Sequence, residues 1–314
     1  MKIHSPLRLA AVCFIIFSSA VQSFASGRGE IPAVVSPAVP KKVKFADKDI
    51  SLDRIDMLER LDRELTAMTY THGNTLLTIK RANRYFPVIM PILKANGVPT
   101  DLAYLACIES NLNPRALSGA KAAGLWQFMP TTAREYGLEV NEFVDERYNV
   151  EKATAAACRY LKNAYSKYGN WESAAASYNG GMGRISSELS SQRQSSAYDL
   201  YLTDETSRYM FRLLAMKMIL ERPARYGYRL TADHLYQPLE TTDIVVDTPV
   251  ADWAQWADEH GISYMILRET NPWIRARSLP NKEGKTYIVK VPVEGTLYRS
   301  TQKKHVYNHN WTEK

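Results

Sequence analysis

The stretch Tyr104-Leu105-Ala106-Cys107-Ile108-Glu109-Ser110 sets one carboxylate into an otherwise apolar run. Leu102, Leu105, Ala106 and Glu109 fall at the i, i+3, i+4, i+7 spacing of a buried stripe, so the segment reads as a core helix with a charge on its inward face. Asn113-Pro114 is expected to stop that helix one turn later, which puts Glu109 near the negative end of the helix dipole. Burial and dipole both favour the protonated acid. A carboxyl that keeps its proton near neutral pH is what general-acid cleavage of a glycosidic bond requires. The plainer reading is a structural glutamate that curls out to solvent or meets an arginine, and the helix pattern alone favours it.

Three segments downstream reverse that preference. Glu109-Ser110 is followed by Asn113-Pro114-Arg115-Ala116-Leu117-Ser118, by Gly124-Leu125-Trp126-Gln127-Phe128-Met129-Pro130, and later by Ala176-Ser177-Tyr178-Asn179-Gly180-Gly181. Gly124 removes a side chain where a sugar would approach the backbone, and Gln127 offers both a donor and an acceptor to an acetamido or hydroxyl group. Trp126 and Phe128 present aromatic faces suited to pyranose rings, with core packing an equal explanation for Phe128. Thr132 and Glu135 have capping-box spacing in a short helix opened by Pro130 and ended by Gly137, so Glu135 reads as a cap before it reads as a catalyst. A long apolar stripe from Ala153 to Tyr168, ended by Gly169, leads to a helix capped by Asn170. That second helix delivers Tyr178 and Asn179 at its C-terminal end, before a Gly180-Gly181-Met182-Gly183 loop. Tyr178-Asn179-Gly180 is a helix stop on the same reading.

In this order and spacing the segments resemble the lytic transglycosylase family with a goose-type lysozyme-like fold, and within it the membrane-bound D subfamily, over roughly residues 76–220. The stretch Glu205-Thr206-Ser207-Arg208-Tyr209 is similar to the family's Glu-Thr-x-x-Tyr segment ahead of the last helix of the domain. The resemblance implies a mainly α fold and peptidoglycan glycan strands as substrate. It implies Glu109 as the catalytic acid, with Ser110, Ser118, Gln127, Tyr178, Asn179 and Tyr209 binding substrate. Glu109 would protonate the glycosidic oxygen between N-acetylmuramic acid and N-acetylglucosamine, then take the proton of the muramyl C6 hydroxyl as a 1,6-anhydro ring closes. Such attack needs no activated water, because the nucleophile is tethered at high effective concentration. A conventional glycosidase uses two carboxyls. Asp145, Glu135 and Glu205 are the candidates for a second one, and none lies in a motif that matches a second catalytic carboxyl. A lysozyme-type muramidase and a non-catalytic wall-binding protein on the same fold are the alternatives.

Composition agrees with that resemblance. Residues 1–25 carry Lys2 and Arg8, an apolar run from Leu9 to Phe17 and a small-residue ending, which reads as a secretory signal cleaved after Ala25. Val12 ahead of Cys13 argues against a lipidation site there. Loss of Lys2 and Arg8 takes the formal charge from +7 to +5, a balance that favours anionic envelope partners, cell wall or membrane surface, over nucleic acid for an exported chain. The expected location is the periplasm or cell envelope, and the expected state a monomer. Cys107 and Cys158 are expected as buried free thiols, with a disulfide the alternative. The six histidines show no metal-ligand pattern, and no phosphate loop or Ser-His-Asp set is present, so neither metal nor cofactor is expected.

The domain reading runs from a Pro/Lys-rich linker (26–46) to a lysozyme-like domain with an N-terminal helix (47–235), then a second unit (240–293) and a polar tail (294–314). Arg184 to Tyr198 reads as a surface loop. In the second unit, strands at Ile244-Val245-Val246 and Tyr287 to Val291 flank helical stretches Trp253–His260 and Tyr264–Glu269. This βααβ order resembles a divergent LysM-type glycan-binding module. It lacks the usual Gly in its first turn and carries an insertion around residues 276–285, so glycan binding and bracing of the catalytic domain stand as alternatives.

Overall fold

The computed structural model describes residues 34–313, and the proposed signal segment lies outside them. The chain is mainly α, as expected, and its core is organised around one helix. Helices α1 (Ile55–Tyr70), α2 (His72–Ala95) and α3 (Ala103–Ser110) come first, then α4 (Pro130–Glu135), α5 (Val150–Tyr168), α6 (Trp171–Gly180), α7 (Met182–Ser191) and α8 (Asp204–Glu221). Helix α8 is buried almost all round, through Tyr209, Met210, Phe211, Leu213, Leu214, Ala215, Ile219 and Leu220. It packs against α1, α3 and α6. An all-round apolar helix is stable only inside a core. Its one buried cation, Lys217, is paired with Asp101 at 2.9 Å and with Glu221.

Helix α1 contributes Met57, Leu61 and Leu65 to the core, each such burial stabilising by roughly 1.5–3 kcal/mol. Its buried Glu64 is neutralised by Arg208 at 2.7 Å and Arg63 at 3.0 Å. The alanine face of α5 lets α2 and α6 approach closely, and Gly169 (φ +68°) and Asn170 end and restart the chain as expected. Cys107 and Cys158 are buried free thiols.

Four local expectations need correction. The linker ends early: Lys42–Phe45 and Lys48–Ser51 pair as antiparallel strands β1 and β2, with Val43, Phe45 and Ile50 in the core. Ala46 (φ 48°) and Asp47 (φ 66°) make the tight two-residue turn between them. The loop expected from Gly180 to Tyr198 is largely α7, because Ile185 and Leu189 at i, i+4 give its Ser-rich sequence a packing face. The Thr132/Glu135 capping box does not form: α4 starts at Pro130 with Met129 as its N-cap, which places Thr132 inside the helix. The polar tail is docked. Trp311 is buried and donates its indole N–H to the Leu220 carbonyl at 2.5 Å, and the fully buried Asn83 bonds the backbone of His305 and Tyr307 at 2.9 and 2.8 Å.

The C-terminal unit has the expected βααβ order. Strands β3 (Thr241–Val246) and β4 (Tyr287–Pro292) pair antiparallel, and α9 (Trp253–Glu259) and α10 (Tyr264–Thr270) lie between them in sequence. Its apolar cluster of Val246, Trp253, Leu267, Trp273, Tyr287 and Val289 also takes in Ala123, Val144 and Tyr148 from the preceding domain. Among the described residues no helix is long and apolar enough to cross a membrane.

Candidate active site

Helix α3 stops at Ser110, a turn earlier than Asn113-Pro114 suggested. Asn111 (φ 50°) and the buried Leu112 (φ 53°) both adopt left-handed backbone. A bulky residue at positive φ is strained, and such strain collects at functional sites. The early stop leaves Glu109 in the last turn, half-buried. The Ser110 hydroxyl lies 3.0 Å from the Ala106 carbonyl and 2.8 Å from that of Leu125, tying α3 to the downstream loop.

One stripe of α8 faces Glu109. Tyr209 donates its phenol to Glu109 Oε1 at 2.6 Å, Arg212 donates to the Ile108 carbonyl at 3.1 Å, and Glu205 lies a turn above. Burial pushes the Glu109 carboxyl above its ordinary range, the Tyr209 bond and the Arg212 charge pull it back, and Glu205 raises it further. Tyr209 is itself buried, with its phenol committed to Glu109. The Glu205, Tyr209, Arg212 set at i, i+4, i+7 was a readable signal. Sequence reasoning missed Arg212 because the Glu-Thr-x-x-Tyr stretch ends at Tyr209.

The loop from Ala116 to Phe128 supplies the next group. Gln127 sits at φ 47° and donates its amide to the Gly124 carbonyl at 2.8 Å and the Ala116 carbonyl at 3.3 Å, a hold that leaves its amide oxygen to accept. Ser118 accepts from the Ala122 N–H at 2.9 Å, which leaves its own proton for a ligand. Gly124 has a different reason from the one expected. At φ +77° a Cβ there would lie 1.8 Å from the Arg147 carbonyl oxygen, so the close approach is by protein backbone and not by sugar. Trp126 and Phe128 are core: the Trp126 indole donates to Thr154 at 2.9 Å.

Tyr178 and Asn179 close the site from α6, although neither bonds Glu109. The Tyr178 phenol donates to the Trp126 carbonyl at 2.8 Å, its ring packs edge-on to Trp126, Phe128 and Tyr160, and burial, followed by the Glu109 charge, pushes its pKa well above the ordinary tyrosine value. Asn179 accepts from Thr206 at 2.9 Å and donates to Glu205 at 3.4 Å.

Two of the candidate second carboxyls are accounted for. Asp145 is buried and gripped by Arg147 through Nε at 2.9 Å and Nη2 at 2.7 Å, a bidentate pair that commits both oxygens to the guanidinium. Glu135 is exposed on α4. Among the described residues no cluster of His, Cys, Asp or Glu has the makings of a metal site.

Comparison with known proteins bears on these groups. The transglycosylase SLT domain family matches residues 86–201, and the soluble lytic transglycosylase C-terminal LysM-like domain family matches residues 242–295. The membrane-bound lytic murein transglycosylase D of Escherichia coli is 31% identical over 236 residues, covering 74% of this chain and 50% of that protein. The chain thus spans about half the length of that relative. The membrane-bound lytic murein transglycosylase C of Haemophilus ducreyi is 36% identical over 84 residues, 23% of either protein. Among solved structures, the 70 kDa soluble lytic transglycosylase of Escherichia coli matches with a TM-score of 0.40 at 21% identity, over 54% of this chain and 30% of that one.

Proposed function

Residues 86–201 belong to the transglycosylase SLT domain family, and from that premise we propose that this chain is a peptidoglycan lytic transglycosylase acting through Glu109. The reading rests above all on the placement of Glu109, half-buried in the last turn of α3 with the Tyr209 phenol 2.6 Å from its Oε1. Burial above all shifts its carboxyl upward, against the Tyr209 bond and the Arg212 charge, which favours the neutral acid, and Tyr209 orients the oxygen it bonds. In that state Glu109 gives its proton to the glycosidic oxygen between N-acetylmuramic acid and N-acetylglucosamine. The resulting carboxylate, stabilised by Tyr209 and Arg212, then accepts the C6 hydroxyl proton as that oxygen bonds to C1. The products are a free N-acetylglucosamine end and a 1,6-anhydromuramyl end, with no water consumed.

Gln127, with its unused amide oxygen, and Ser118, with its unused proton, are the polar groups we assign to the sugar. Asn179 shapes the site through Thr206 and Glu205. One observation favours a second reading. Glu205 is a carboxylate that acts on Glu109, and a hydrolase would use it to activate water. Product analysis in isotopic water separates the two. Peptidoglycan strands are the proposed partner, and export to the envelope the proposed location. N-terminal sequencing that gave a start near Ser26 would support export, and retention of Leu9 to Phe17 would contradict it.

A further inference from the structure

We infer that Arg147 is a positioning residue for the Gln127 loop, and that docking of the C-terminal βααβ unit holds the loop through it. Four consecutive contacts carry the inference. The unit meets the first domain by backbone pairing: Val144 bridges Ile274, the Asp145 N–H donates to the Trp273 carbonyl at 2.9 Å, and the Arg275 N–H donates to the Phe143 carbonyl at 2.8 Å. Asp145, held at that seam, takes the Nε–Nη2 edge of the Arg147 guanidinium with its two carboxylate oxygens. Arg147 Nη1 then donates to the Lys121 carbonyl at 2.7 Å and the Phe128 carbonyl at 3.0 Å, clasping both ends of the loop that carries Gln127. Finally, the Arg147 carbonyl occupies the space that Gly124 leaves open inside the same loop.

A second observation reaches the loop independently of these bonds. Ala123 is packed in the apolar cluster of the C-terminal unit, beside Val144 and Tyr148, and the Arg275 guanidinium lies 4.5 Å over the Tyr148 ring. The loop is thus held between two domains at a place where Gln127 keeps a left-handed backbone. Strained geometry persists only where its surroundings over-determine it. The planar fork of Arg147 suits four simultaneous bonds, and a lysine, with a point charge and no fork, cannot reproduce them. Arg147 touches no substrate on this account.

This inference rests on the glycan-site reading of the cleft, and its test separates the two. In the full chain, Arg147→Lys is expected to raise KM for a soluble chain of peptidoglycan disaccharides by about tenfold or more, with kcat little changed, as loosening of a binding loop requires. The amide NMR signals of residues 121–128 are expected to shift or broaden in that variant, while those of α1 and α8 stay in place. Ile274→Ala, at the seam, is expected to move the same loop signals to a smaller degree, which covers the case that Arg147→Lys does not fold. Unmoved loop signals and unchanged KM in a folded variant would overturn the inference. Moved loop signals in a protein that cleaves no peptidoglycan would uphold the relay and overturn the glycan reading instead.

Discussion

The Tyr209 phenol donates to Glu109 Oε1 at 2.6 Å from the same face of α8 that carries Glu205 and Arg212. Tyr209 stabilises the ionised form of the acid and Glu205 destabilises it, so substitutions of the two are expected to move the pH profile in opposite directions. Activity that depends on protonated Glu109 declines as pH rises through its raised pKa. Tyr209→Phe removes a bond to the carboxylate and should carry that decline to higher pH; Glu205→Gln removes a like charge and should carry it lower. Profiles of kcat/KM that moved together, or not at all, would contradict the assignment of Glu109 as the acid.

Glu109→Gln is expected to cut turnover by at least about a hundredfold while the fold persists. The stability change has a definite sign. Because the folded-state pKa is raised, the folded protein binds the proton more tightly than the unfolded chain, and stability declines as pH rises from about 4 through the folded value. Gln carries no charge, so the variant should match the parent in urea below about pH 4 and exceed it at neutral pH. Equal stability at both pH values would mean that the carboxylate is better solvated than the structure indicates.

Gly124→Ala should destabilise by more than about 2 kcal/mol, since it combines left-handed backbone with a Cβ driven into the Arg147 carbonyl. Thermal melting measures this directly. A melting temperature within a degree or two of the parent would show that the two backbones separate easily.

Trp311→Ala should cost about 3–5 kcal/mol, the range for emptying a buried indole site, despite its place three residues from the C-terminus. Removal of residues 304–314 should cost at least as much, because it also strips Asn83 of its bonds to His305 and Tyr307. Urea midpoints test both, and an unchanged midpoint would mean that the tail is not docked in solution.

What could be read from sequence followed periodicity. The α5 alanine face ended by Gly169, the Asn170 cap and the βααβ order were legible because each is a local pattern with one packing solution, whereas α3 is buried on every face and Glu109 alone in it is only half-buried. The Ser-rich composition of α7 concealed a face made by Met182, Ile185 and Leu189. Val43, Phe45 and Trp311 sit among polar neighbours, so their burial depends on surfaces built by distant helices. Long-range pairing also sets contacts at the site that local patterns do not carry. Ser110 answers to Leu125, Gly124 to Arg147, and Tyr209 to Glu109 across 100 residues. Motif spacing found the residues, but which of them bond one another is set by tertiary contact. The Asp145-x-Arg147 clasp carries no periodic signal, and only its three-dimensional neighbours expose it.

The most direct measurement is digestion of purified peptidoglycan by the full chain in oxygen-18 water, with mass analysis of the new muramyl ends. If Glu109 acts alone and the C6 hydroxyl is the nucleophile, those ends are 1,6-anhydro sugars, one water lighter than a hydrolysis product and free of label. Muramyl ends that are one water heavier and carry oxygen-18 would contradict the account and assign Glu205 or another group the activation of water.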